Sequence, residues 1–275
     1  CTSCDVAKRL ALAQDKMILV MWENTLDNSY PVMVNNEKGG LVIVNLNDNE
    51  LVNELIWEHF VPVIIFESEY DKLYNEAKKT RGERYLDKLG DNSIKLMDVN
   101  GNILNTKISV EINENLTLLI KKYALNTSFL KHELGRYSKD NNSTSAFLLA
   151  SKYLDFAIHV NQSVRPEIIA LANIYFEETK DKLIESNFNN KMAYLQKLEL
   201  LKIKEQLILN RPKKANRMLK RVQVSEIDSI NQSLYNFLNY TTFKLLKDEN
   251  NTALWKTKLS NLHLKKAELI LKNNS

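Results

Sequence analysis

Short apolar runs alternate with helical periodicities up to about residue 125, and the pattern is helical beyond it. Met17-Ile18-Leu19-Val20-Met21-Trp22 and Phe60-Val61-Pro62-Val63-Ile64-Ile65-Phe66 are apolar throughout yet too short for helices, which predicts strands buried on both faces. Pro62 has no N–H to donate, so it is expected near the start of its strand or on a sheet edge. Residues 5–15 predict a helix capped by Asp5, with Val6, Leu10 and Ala13 on one face. Pro31–Val34 and Leu41–Leu46 predict two strands, with Asn36, Gly39 and Gly40 between them supplying hairpin chemistry. Leu51, Val52, Leu55 and Ile56 mark a short helix, and residues 69–89 a longer, charged one. Ile94–Met97 and Ile103–Ile108 predict a second hairpin, turned at Asn100-Gly101, and residues 113–124 a closing helix.

The polar stretch 140–145 breaks the pattern, and helices are expected at 144–160, 165–186, 191–209, 211–222, 226–246 and 252–272. Pro166 and Pro212 suit first-turn positions. Ala170, Ala172 and Ala193 suggest close helix crossings. No clean period of about 34 residues emerges, so the expectation is an irregular array of helical hairpins. The domains expected are 1–130 (α/β) and 131–275 (all-α, repeat-like).

The first domain resembles the thioredoxin superfamily. The resemblance is carried by the opening helix running into Lys16-Met17-Ile18-Leu19-Val20, by Asn53 to Val63, and by Ser93-Ile94-Lys95-Leu96-Met97-Asp98-Val99-Asn100-Gly101. It implies a thioredoxin-like α/β fold over about residues 5–125. It also exposes a departure. Where that family carries Cys-x-x-Cys after the first buried strand, this chain reads Glu23-Asn24-Thr25-Leu26-Asp27-Asn28-Ser29-Tyr30. Asn92 stands at the family's cis-proline position, and the 31–46 hairpin replaces the helix that bears the cysteines. With no thiolate at that place there is no nucleophile for disulfide exchange. The residual groove implied at Tyr30, Pro31 and Asn92 is a candidate peptide-binding site.

Cysteine usage adds a second expectation. A chain beginning at Cys1 matches a bacterial lipoprotein after signal cleavage, with a diacylglycerol on the Cys1 sulfur and usually an acyl chain on its nitrogen. Cys1 and Cys4 also have the spacing of a redox pair ahead of a helix, the basis of an alternative reading as an envelope thiol–disulfide oxidoreductase or chaperone.

Net charge is +4 and dispersed, with one dense cluster: Arg211, Lys213, Lys214, Arg217, Lys220 and Arg221. These six are candidates for contact with anions such as lipid head groups. The absence of interleaved aromatics, together with export, argues against nucleic acid. His59, His132, His159 and His263 are too scattered to predict a metal site, and no hydrolase, phosphate-loop or metalloprotease motif occurs. No catalytic residue, cofactor or small-molecule substrate is expected. AT-rich lipoproteins of the Bacteroidetes are similar in plan. That resemblance implies an outer-membrane anchor, with the periplasmic face favoured, and a non-enzymatic accessory or scaffold role in a membrane protein complex.

Overall fold

A computed structural model describes residues 3–27, 29–36, 38–47, 50–107, 115–185 and 189–274. The chain divides into two compact units, Cys1–Asp140 and Asn141–Ser275. The first holds a small mixed sheet among helices; the second is helical.

In chain order the first unit comprises α1 (Cys4–Gln14), β1 (Met17–Trp22), α2 (Glu23–Leu26), β2 (Pro31–Asn35), β3 (Leu41–Asn45), α3 (Glu50–His59) and β4 (Phe60–Ile65). It continues with α4 (Tyr70–Lys78), α5 (Glu83–Gly90), β5 (Lys95–Met97), α6 (Leu116–Tyr123) and α7 (Lys131–Lys139). The strand order is β4-β1-β5. β1 is central, and all six of its residues are buried, as a strand covered on both faces requires. It pairs in parallel with β4, Met17 opposite Phe60 through Trp22 opposite Ile65, and antiparallel with β5, Val20 opposite Lys95. Pro62 lies on β4 at the edge of this sheet, where its missing N–H breaks no ladder. β2 and β3 form a separate antiparallel hairpin. The Asn36 carboxamide accepts from the N–H groups of Lys38 and Gly40, and Gly39 takes a positive φ of 77°.

The cap of α1 is Ser3 rather than Asp5, with Ala7 and Ala11 rather than Val6 and Ala13 on its buried face, and three further expectations change in this unit. The charged helix at 69–89 is two helices, because Gly82 adopts an extended conformation and becomes the N-cap of α5. The second hairpin shrinks to β5 and one bridge, Met97 to Ile103. Here the buried Asn105 side chain replaces a return strand: its Oδ1 accepts from the Leu96 N–H (2.7 Å) and its Nδ2 donates to the Ile94 carbonyl (2.9 Å). At the turn only Gly101, not Asn100, takes a positive φ, while the Asp98 carboxylate receives the N–H groups of Asn100 and Asn102. Residue 108 of the expected strand and residues 113–114 of the expected helix lie outside the described residues. Finally, α7 falls within the first unit rather than beyond a boundary at 130. Leu130 and Leu134 are buried, Lys131 pairs with Asp15 at 3.0 Å, and Gly135 of α7 sits against Leu12 of α1.

The second unit comprises α8 (Ser143–His159), α9 (Arg165–Glu185), α10 (Lys191–Ile208), α11 (Pro212–Leu219), α12 (Gln232–Leu245), α13 (Glu249–Lys256) and α14 (Asn261–Lys272). Asn142 and Ser145 form a reciprocal capping box at the start of α8. α8 and α9 form the most extensive helix pair, with Tyr153 and Tyr175 stacked at 5.7 Å between them. Successive helices from α9 to α13 then pack on one another, and α12 also touches α10 and α14. Ala172 and Ala193 are buried as expected of crossing residues, whereas Ala170 is exposed and marks no crossing. The helix expected at 226–246 begins only at Gln232, after two tight turns. The second turn is held by the Asp228 carboxylate accepting from the Ile230 N–H at 3.0 Å. The one expected at 252–272 is interrupted where Ser260 caps α14.

Candidate functional site

The carboxyl end of β1 is sealed by side chains. Trp22 is buried, donates from Nε1 to the Leu89 carbonyl at 2.8 Å and meets Tyr70 edge-on at 5.4 Å, with Tyr74 stacked on Tyr70. Beside it, α5 and the loop entering β5 bring Lys88, Asp91, Ser93 and Lys95 together. Asp91 Oδ1 accepts from the Ser93 N–H (2.9 Å), the Ser93 hydroxyl (2.6 Å) and Lys95 Nζ (3.2 Å). Lys95 Nζ also donates to the carbonyls of Asp91 (2.5 Å) and Ser93 (2.9 Å), so all three of its N–H groups are engaged. Lys88 donates to the Ser93 hydroxyl and lies 3.6 Å from Asp91 Oδ2.

Both lysine side chains are fully buried and share one carboxylate. Burial pushes Lys95 down to about 8, against the pull of Asp91, and lowers Lys88 in the same way. Burial alone would raise Asp91, but the Ser93 hydroxyl and the two ammonium groups outweigh it and hold the carboxyl below its usual range. The cluster is a clasp that fixes the loop before β5. With its donors spent, Lys95 offers no free amine to a substrate.

The three residues expected to form a groove divide between the start of the β2–β3 hairpin, where Tyr30 and Pro31 lie, and the bend before β5, where Asn92 lies. Pro31 opens β2 and is exposed, and Asn92 is exposed in the bend between α5 and β5. Tyr30 is half-buried and is tied into the β2–β3 hairpin: its N–H reaches Asn45 Oδ1 at 3.0 Å, and its carbonyl accepts from Leu46. None of the three lines either of the clefts that follow.

The hairpin itself is the more conspicuous surface. β3 exposes Leu41 (61%), Val42 (42%) and Ile43 (72%), and among the described residues it pairs only with β2. Close by, an apolar cleft of about 500 Å³ is lined by Leu26, Leu46, Ile56, Trp57 and Pro62. Asn47 closes part of it by donating to the Leu26 carbonyl at 2.6 Å. Exposed apolar strand edges are liabilities unless something pairs with them.

A second cleft of about 670 Å³ is reached by Cys4, Lys8, Phe66, Glu69, Arg81 and Tyr85. Its lining mixes both signs of charge and selects no ionic ligand. Cys4 begins α1, and burial pushes its thiol up; Lys8 pulls the other way, while Glu69 and Asp5 add to the rise. That is the reverse of an activated thiolate. Cys1, the expected lipid site, lies outside the described residues.

In the second unit, Arg211, Lys213, Lys214, Arg217, Lys220 and Arg221 are all exposed on α11 and its flanks. Ala215 and Leu219 anchor the helix from its buried side. Among the described residues none of the six cations lies within 4.0 Å of a carboxylate. Lys214 faces the neighbouring Glu205, whose carboxyl burial pushes up to about 7.

Sequence reading missed the buried charges. A lysine inside Ile94-Lys95-Leu96 was the available signal in the first unit. In the second, Lys204 is buried against Asp155, which Lys266 also reaches at 2.6 Å. Burial alone would raise Asp155, but these two cations hold it below its usual range. No group of three or more His, Cys, Asp or Glu side chains among the described residues is placed to hold a metal ion. No family model matches the chain, and no curated protein or solved structure matches it either.

Proposed function

We propose that this chain is a non-enzymatic binding protein, a lipid-anchored accessory or scaffold subunit of a bacterial envelope complex. On this reading it joins a redox-inactive thioredoxin-like unit to a helical-hairpin unit. The observation that carries the proposal is β3, a neutral, apolar strand with an exposed edge beside an apolar cleft. Such an edge fits an extended segment of a partner protein, added as a further strand, with the cleft near Trp57 taking a partner side chain.

The thioredoxin-like part rests on the mixed sheet, in which β1 has one parallel and one antiparallel neighbour. The redox-inactive part rests on α2, which follows β1 without a thiol, and on the raised thiol of Cys4. The anchor is carried over from the resemblance to envelope lipoproteins, which implies the outer membrane with the periplasmic face favoured.

Affinity isolation of the full chain from native membranes tests the partner surface. Ile43→Lys replaces an exposed side chain, so folding by circular dichroism should be unchanged while co-purifying partners are lost. Retention of the same partners would remove β3 from the proposal. Mass spectrometry of the N-terminal peptide tests the anchor: a lipid adduct on Cys1 supports it, and a Cys1–Cys4 disulfide that cycles with substrate would replace it with the oxidoreductase reading.

A further inference from the structure

We infer that α11 and the turn that follows it form a contact site for an anionic lipid surface. The site lies wholly within the second unit and operates whether or not Cys1 carries lipid. Residues 206–225 contain six Lys and Arg and no Asp or Glu. Elsewhere in the unit cations find carboxylates, as Lys182 does with Glu178, Lys202 with Glu199 and Lys244 with Glu249. The α11 cations do not, among the described residues.

Their placement follows from the helix. With Ala215 and Leu219 buried, the spacing puts Lys213, Arg217 and the C-cap Lys220 along one outer row with Lys214 beside it, and Arg221 follows just past the helix end. Charges so close repel one another, and an adjoining negative surface relieves that repulsion. Glu205 and Glu226 flank the stretch in sequence: burial biases Glu205 toward its neutral form despite the pull of Lys214, and Glu226 lies past the last cation with no ion pair to the six among the described residues.

The character of the surroundings selects lipid over other polyanions. Residues 206–225 contain no Phe, Tyr or Trp on which bases could stack. Val224, beside the last cations, is 61% exposed. An apolar side chain next to ammonium and guanidinium groups suits the boundary between head groups and acyl chains, where the first can enter while the others meet phosphate.

The test uses the full chain carrying Cys1→Ser, so that no acyl anchor contributes, in co-sedimentation with vesicles. Vesicles of mixed phosphatidylglycerol and phosphatidylcholine should bind the protein, those of phosphatidylcholine alone should not, and added salt should release it. The triple variant Lys213→Gln/Arg217→Gln/Lys220→Gln should bind about 100-fold more weakly, since each charge near an anionic membrane contributes roughly fivefold. Equal binding to both vesicle types, or unchanged binding by a triple variant with native circular dichroism, would overturn the inference. Tighter binding to duplex DNA or to polyglutamate than to the anionic vesicles would overturn it too, assigning the patch to that class instead. Neither failure touches the acyl anchor or β3, which are tested separately.

Discussion

At Lys95 and Asp91, stability hangs on one carboxylate serving two buried ammonium groups. Asp91→Asn leaves both cations uncompensated and should cost about 3–5 kcal/mol, read from the midpoint of urea unfolding. Lys95 releases its proton near 8 when folded, against about 10.4 when unfolded. Between those values the unfolded chain binds more protons, so stability through this group rises with pH across that window. Lys95→Met should remove this group's share of the rise, leaving the share that Lys88 contributes in the same direction. Glu205 runs the opposite way. Its folded value of about 7 lies above the ordinary 4.5, so the folded state holds the extra proton and stability falls as pH climbs from 4.5 to 7. Glu205→Gln should therefore be more stable than the parent by roughly 2–4 kcal/mol above pH 7. Below pH 4 the two should melt alike. Apart from the hint of a lysine inside Ile94-Lys95-Leu96, none of these shifts is legible locally, because only neighbours distant in the chain remove the water from a charge.

Among the elements, those with strong local signals were legible. β1 and β4 are continuous apolar runs, the Asn36–Gly40 turn has a conformational requirement that glycine meets, and the α8 cap is written in Asn142 and Ser145. Gly39→Ala should cost about 1 kcal/mol in thermal unfolding; an added Cβ meets nothing within 4 Å, so the cost is purely that of φ. What failed was the return strand after Gly101. Its apolar alternation promised a ladder, yet the Asn105 carboxamide takes the Leu96 and Ile94 backbone groups. Asn105→Ala leaves that buried donor and acceptor bare and should cost about 3 kcal/mol by the same measurement. The candidate groove fared as it did for a related reason. Tyr30, Pro31 and Asn92 were linked through a likeness between folds, whereas the backbone of Tyr30 is tied to Asn45 and Leu46 of its own hairpin.

For the molecule as a whole, each unit has its own apolar core, around β1 in the first and around Tyr153 and Tyr175 in the second. Residues 141–275 expressed alone should give a helical circular dichroism spectrum and a cooperative urea transition, as a self-contained domain does. Loss of cooperativity would show that the second unit depends on the first. The sequence by itself determined the existence and type of most elements and the change from mixed to helical character, since period and turn chemistry are local properties. It also named the α11 cluster, because charge is a property of residue type. Tertiary structure decided which charges are sealed and which are open: Lys88, Lys95 and Lys204 lose their water to packed neighbours, while the six cations of α11 keep theirs. It likewise decided that β3 keeps an apolar edge in solvent, because pairing and burial depend on residues far apart in the chain.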